Sequence, residues 1–169
     1  RGRRCPCFQR RRLVGIIHRE TGGLAFERTR NHDLAYGNCY WPFKDFSTPL
    51  RPENPVPYVN QKGVIERDFA KKEVFYVFQS YWTQKPMIHI YGHTWPTRWG
   101  AANEPKEILV YSNCPAVELF VNGVSQGIKQ RNSQDFPAAG LHWKCVLREG
   151  ENQLKAVAVK ARSDFRRNH

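Results

Sequence analysis

No stretch of eighteen apolar residues occurs in this 169-residue chain, so the sequence offers no membrane-spanning helix. Its opening, RGRRCPCFQRRRLVGII, is basic and then briefly apolar. A signal peptide needs a longer apolar core and a small-residue cleavage site, and neither is there. Internal repeats and low-complexity tracts are also missing, and an aromatic content of 13% argues against global disorder. Cysteine is scarce and odd in number. Cys5, Cys7, Cys39, Cys114 and Cys145 are too unevenly spaced for a disulfide framework. Cys5-Pro-Cys7 offers two thiolates, but a zinc site takes four ligands and no second pair follows, so no metal is expected. Cys114 and Cys145 lie in strand-like sequence, where they either pair or are simply buried; burial is the expectation.

Acidic residues are outnumbered, 15 against 27 Lys plus Arg, for a net charge of +12. The excess is uneven. Residues 1–30 hold nine Arg against Glu20 and Glu27, a balance of +7, and the remaining residues carry +5. Such an arm has the charge to attract nucleic acid or acidic lipid. No DNA- or RNA-binding motif accompanies it, so a solvated tail is expected and nucleic acid is not the expected partner. The length allows one ordinary domain, or one small domain with a piece of another.

What is present is sharply organised. Asn38 to Phe46 is strand-like, with Tyr40, Trp41, Phe43 and Phe46 as its aromatic content. Pro49, Pro52, Pro55 and Pro57 then forbid regular structure and stiffen a loop. Asp68 is the expected N-cap of a helix whose apolar face is Val74, Val77, Phe78, Tyr81 and Trp82, spaced i, i+3, i+4, i+7 and i+8. Gly92, Pro96, Gly100 and Pro105 mark a linker. Short strands follow at Glu107–Ser112, Val117–Val121, Gly127–Lys129, Leu141–Leu147 and Gln153–Lys160. Asn122-Gly123 is the strongest hairpin signal in the chain, and Gly150-Glu151-Asn152 makes another turn. With Met87–Tyr91 added, the pattern fits an immunoglobulin-like sandwich. Leu13–Ile17 reads as one further short strand.

Four segments, in order, resemble glycoside hydrolase family 2. YWPFKDFSTPLRPENPVPYVNQKG resembles the last strand and loop of the catalytic barrel. KKEVFYVFQSYW resembles its last helix, KPMIHIYGHTW the crossing into the next domain, and VYSNCPAVELFVNGVSQG the opening of the immunoglobulin-like domain that follows. The match covers roughly residues 34–162. The resemblance implies a mostly β chain with a small α/β remnant. Residues 38–85 would be the last strand–loop–helix of a (β/α)8 barrel and 86–163 the sandwich, with a non-matching basic segment at 1–37 and a tail at 164–169. The rest of the barrel would lie upstream, and the Arg-rich start departs from the family.

Family members cleave with two glutamates and retain configuration, their carboxyl groups about 5–5.5 Å apart. The acid/base follows an Asn in an Asn-Glu pair. Here the only such pair, Asn103-Glu104, lies in the linker, and the surroundings of Glu20 and Glu27 do not match the nucleophile's. No catalytic residue is therefore assigned, and the chain is expected to be inactive alone. Trp41 resembles the aromatic floor of the sugar site; its alternative is barrel core. Asn60 and Lys62 resemble the Asn-x-Lys with which uronate-specific members bind a carboxylate, an ammonium pairing with it while an amide hydrogen-bonds it. Asp45, with Arg51 and Glu53, either contacts sugar hydroxyls or ties the loop down through a pair with Arg51. His89 and His93 are read as packing residues beside the domain crossing.

The implied parent is a β-galactosidase-like enzyme or, on Asn60 and Lys62, a uronate-specific one acting on a β-galactoside or β-uronide. It needs no cofactor. A non-catalytic immunoglobulin-like carbohydrate-binding or scaffold module is the alternative from another class. Export of the parent to the periplasm or medium would depend on a signal upstream. An apolar surface is expected where the missing barrel portion packs, open to that portion or to another copy of the chain.

Overall fold

The computed structural model describes residues 39–50, 52–53, 56–93, 95–101, 103–131 and 140–159. The expectations for segment 1–37, Leu13–Ile17, Cys5, Cys7, Glu20, Glu27, Arg51, Thr94 and the tail 164–169 fall outside these residues. The described chain is mostly β with one helix and divides into two compact units, the division falling after Gln79.

In the first unit, β1 (Phe46–Ser47) pairs antiparallel with β2 (Val59–Asn60), Phe46 opposite Asn60. The strand expected from Asn38 is thus confined to its last residue and Ser47. Pro42 has no N–H to offer a ladder, and separate bonds hold the chain beside it. Val64 and Ile65 both donate to the Phe43 carbonyl, at 2.9 and 3.1 Å, and Asp45 N donates to Ile65 O at 3.0 Å. Lys44 and Ile65 form an isolated parallel bridge.

Helix α1 (Glu73–Trp82) crosses the division between the units. It starts five residues after Asp68, whose carboxylate accepts from Ala70 N in a local turn instead of capping the helix. Phe75 N donates to Lys72 O at 3.0 Å, so Lys72 sits at the helix entrance. Val74 and Phe78 bury their side chains with Val64, and Tyr40 and Phe75 pack against them. Further along the anticipated apolar face Trp82 is exposed. Trp41, Phe43, Leu50, Tyr58 and Phe69 of the first unit are exposed as well.

The second unit is a two-layered β structure. One antiparallel sheet has the order β3 (Ile88–Ile90), β4 (Pro105–Ser112), β7 (Leu141–Val146); the other has β6 (Val124–Gln130), β5 (Ala116–Val121), β8 (Leu154–Val159). Period-two alternation explains the burial: Leu141, Trp143 and Cys145 point inward while Lys144 and Val146 face water. These three join Ile108, Val110, Val117, Leu119 and Val121 in one core. Each such side chain contributes about 1.5–3 kcal/mol when fully buried. The Trp143 indole N–H donates to Gly127 O at 3.2 Å, which satisfies its one polar group.

Asn122 and Gly123, at φ 52° and 81°, form the two-residue hairpin turn that links β5 to β6. Asn122 Oδ1 also accepts from Gln153 N at 2.8 Å, and its amide donates to Asn152 Oδ1, joining this turn to the one before β8. Cys114 and Cys145 are both buried and unpaired.

Candidate functional site

The loop that returns from β2 to α1 carries the turn Asn60-Gln61-Lys62-Gly63. Asn60 opens it: its side-chain oxygen accepts from Lys62 N at 3.1 Å, a turn closed by the residue's own amide. The Lys62 carbonyl accepts from the Tyr40 hydroxyl at 3.1 Å. Both backbone groups of Lys62 are therefore used. Its ammonium, which is exposed, has no ion pair or hydrogen bond among the described residues, and neither does the Asn60 amide nitrogen. A cation and a neutral donor, both unengaged on one short turn, are the two groups that a carboxylate ligand would need.

The support beneath the turn is an ion pair. Lys72 Nζ lies 2.6 Å from Asp45 Oδ1 and 2.7 Å from Oδ2, and it also donates to Gln61 O at 2.9 Å. Gly63 N donates to Asp45 Oδ1 at 2.7 Å. Gly63 must lack a side chain, since a Cβ there would stand 2.3 Å from Asp45 N and 2.5 Å from its Oδ1. Asp45 is itself only 6% exposed. Of its two anticipated roles, sugar contact and loop holding, its hydrogen bonds serve the loop; Lys72 is its partner in this arrangement.

Tyr40 belongs to the same framework. Its ring meets Phe78 edge-on at 5.2 Å. Burial pushes its hydroxyl up to about 12, and the nearby Asp45 charge acts in the same direction. The hydroxyl therefore stays protonated and able to donate to Lys62 O. The next residue, Trp41, is 69% exposed, and its indole packs edge-on against Phe46 at 5.4 Å.

Glu53 is exposed. In the second unit the rings of His89 and His93 meet edge-on at 4.9 Å. Glu104, the acid of the chance Asn103-Glu104 pair, is bound by Lys106 and by Ala101 N. Those bonds hold its carboxyl below the usual range, Lys106 being the larger cause.

Sequence reasoning singled out Asn60, Lys62, Trp41 and Asp45 but passed over Tyr40, Gly63 and Lys72. One signal was available for Lys72. A lysine at a helix entrance opposes the positive end of the helix dipole, so its charge implies a local anion.

Residues 103–163 match the family model of a domain of unknown function, DUF4982. A protein of Formosa agariphila named as a β-glucuronidase is 52% identical over 129 residues, 76% of this chain and 16% of the relative. A β-galactosidase of Bacteroides ovatus is 29% identical across 85% of the chain and 16% of its own length. Among solved structures, the Parabacteroides merdae β-glucuronidase superposes with a TM-score of 0.79 and 66% identity, over 84% of this chain and 18% of that one. The chain thus spans less than a fifth of each of these relatives. With β-glucuronidases and a β-galactosidase matched over most of its length, the chain belongs to glycoside hydrolase family 2, in the C-terminal region of that family.

Proposed function

We propose that this chain is the C-terminal, substrate-side part of a retaining β-glycosidase that hydrolyses β-uronides. The observation that carries the reading is the pair of unengaged groups on the clamped turn, the Lys62 ammonium and the Asn60 amide nitrogen. Lys62 pairs with the uronate carboxylate and Asn60 donates to it. Trp41 lies under the apolar face of the pyranose. Residues 38–85 are the end of the catalytic barrel, and 86–163 are an immunoglobulin-like domain that follows it. The two carboxyl groups that protonate the leaving oxygen and attack the anomeric carbon come from other parts of the enzyme. The names of the Formosa and Parabacteroides relatives support a glucuronide as the substrate.

A β-galactoside is the second reading, favoured by the Bacteroides ovatus relative. In that case Lys62 has no carboxylate to meet, and its substitution leaves galactoside turnover intact.

The test compares an aryl β-glucuronide with an aryl β-galactoside, both for this chain alone and for the complete glycosidase. The chain alone is expected to turn over neither. In the complete enzyme, Lys62→Ala is expected to cost about a hundredfold or more in kcat/KM on the glucuronide, since it leaves a charged substrate group unpaired. An equal, small effect of Lys62→Ala on both substrates would refute the uronide reading. Turnover by the chain alone would show a carboxylate pair within it.

A further inference from the structure

Lys72 and Asp45 are oppositely charged and lie close enough to form an ion pair. The apolar cluster beside them consists of Val64, Val74 and Phe78, with Tyr40 and Phe75 packed on it. The Lys72 side chain is 21% exposed and that of Asp45 is 5% exposed. Burying an ion pair in such a place rarely adds stability over apolar side chains of similar size. It does fix geometry, because each of its bonds has a direction. Here the bonds that leave the pair converge on one place: Lys72 Nζ donates to Gln61 O at 2.9 Å, and Asp45 Oδ1 accepts from Gly63 N at 2.7 Å. Gln61 and Gly63 are the two residues that flank Lys62. Tyr40 takes the remaining carbonyl, that of Lys62 itself.

We infer that Asp45 and Lys72 are a positioning pair for carboxylate recognition. They hold the Asn60–Gly63 turn in one shape and thereby aim Lys62 and Asn60 without touching the sugar. This rests on the uronide reading and deepens it. The charge of Lys72 is consumed by Asp45, so Lys62 is left as the cation that meets the ligand. The cost of ordering a loop lysine is met when the turn forms rather than when substrate binds, and preorganisation of this kind raises affinity. Loss of the pair leaves Lys62 in place but releases the backbone on either side of it, at Gln61 and Gly63. The effect therefore falls on uronide binding more than on turnover.

The experiment uses the complete glycosidase and both aryl glycosides. Lys72→Gln is expected to lower the uronide-to-galactoside ratio of kcat/KM by about tenfold, mainly through a higher uronide KM. Lys72→Arg, which keeps the charge and several donors, is expected to restore most of that ratio. An equal fall on both substrates, with the ratio unchanged, overturns the proposal, because a structural role alone weakens both. Lys62→Ala separates the two levels of inference. If it removes the uronide preference while Lys72→Gln leaves the ratio unchanged, the uronide reading stands and the positioning pair does not. If Lys62→Ala leaves the preference unchanged, the uronide reading itself fails.

A second measurement does not depend on turnover. In this chain, amide hydrogen exchange at Gly63 is expected to accelerate in Lys72→Gln relative to the core amides of Val117 and Leu119. Unchanged protection at Gly63 counts against the pair as the turn's support.

Discussion

The hydroxyl of Tyr40 reaches 3.1 Å to the carbonyl oxygen of Lys62, bridging 22 residues of sequence. That hydroxyl has its proton affinity raised to about 12, first by burial and then by the charge of Asp45. A free tyrosine ionises near pH 10. Between these values the folded chain keeps a proton that the unfolded chain has lost. Tyr40 thus contributes stability that is complete below about pH 10 and is lost as pH rises toward 12. Ultraviolet difference titration is expected to show one late-ionising phenol fewer in Tyr40→Phe, Tyr76 being pushed upward as well by burial and by Glu73. Ionisation of every tyrosine near pH 10 in the folded chain would contradict this environment.

Gly63 has no room for a side chain. A Cβ would stand 2.3 Å from Asp45 N and 2.6 Å from the Lys44 carbonyl carbon, both of them backbone atoms that cannot swing away. Gly63→Ala is therefore expected to destabilise the first unit by about 3 kcal/mol, the upper end of the usual overpacking range. Denaturant titration monitored near Trp41 would measure it. A loss below about 0.5 kcal/mol, the usual scale of a neutral surface change, would mean that the close approach is relaxed in solution.

Asn122 has two separable functions. Its φ of 52° is the left-handed region that a hairpin turn needs, and its side chain receives Gln153 N at 2.8 Å and donates to Asn152 at 2.9 Å. Asn122→Gly keeps the backbone freedom and loses the bonds, whereas Asn122→Ala loses both. The expected cost is about 1 kcal/mol for Gly and about 2 kcal/mol for Ala. Equal costs in thermal denaturation would mean that the backbone angle carries no penalty.

The three thiols among the described residues differ in access. Cys39 is exposed, whereas Cys114 and Cys145 are buried, and burial pushes the Cys145 thiol up. The thiolate is the reactive form, so both effects slow Cys145. Among these three, mass-resolved alkylation of the native chain is expected to label Cys39 first and to spare Cys145 until the second unit unfolds. Early labelling of Cys145 would show that β7 opens locally.

The strands after residue 105 were legible in the sequence because they are short runs rich in apolar residues set between Gly, Asn and Pro turns. Leu141, Trp143 and Cys145 announce their face without knowledge of any partner. The Asn122-Gly123 turn was legible for the same reason: its chemistry is contained in two residues. The start of the helix was misread. Asp68 is a good capping residue by type, but it closes a turn on Ala70, and the chain enters α1 only after a bridge between Ile65 and Lys71. The candidate site was half legible. Asn60 and Lys62 stand close together in a recognisable motif, whereas Asp45 and Lys72 meet across 27 residues. No periodicity joins those two, and only the misplaced charge at the helix entrance pointed to their meeting.

Among the described residues, the hydrogen bonds that shape the Asn60–Gly63 turn come from the stretch Tyr40 to Lys72. The turn is thus written into one stretch of chain that carries its own scaffolding. Such a stretch can be exchanged between family members as a cassette, with no change to the strands that follow it in sequence.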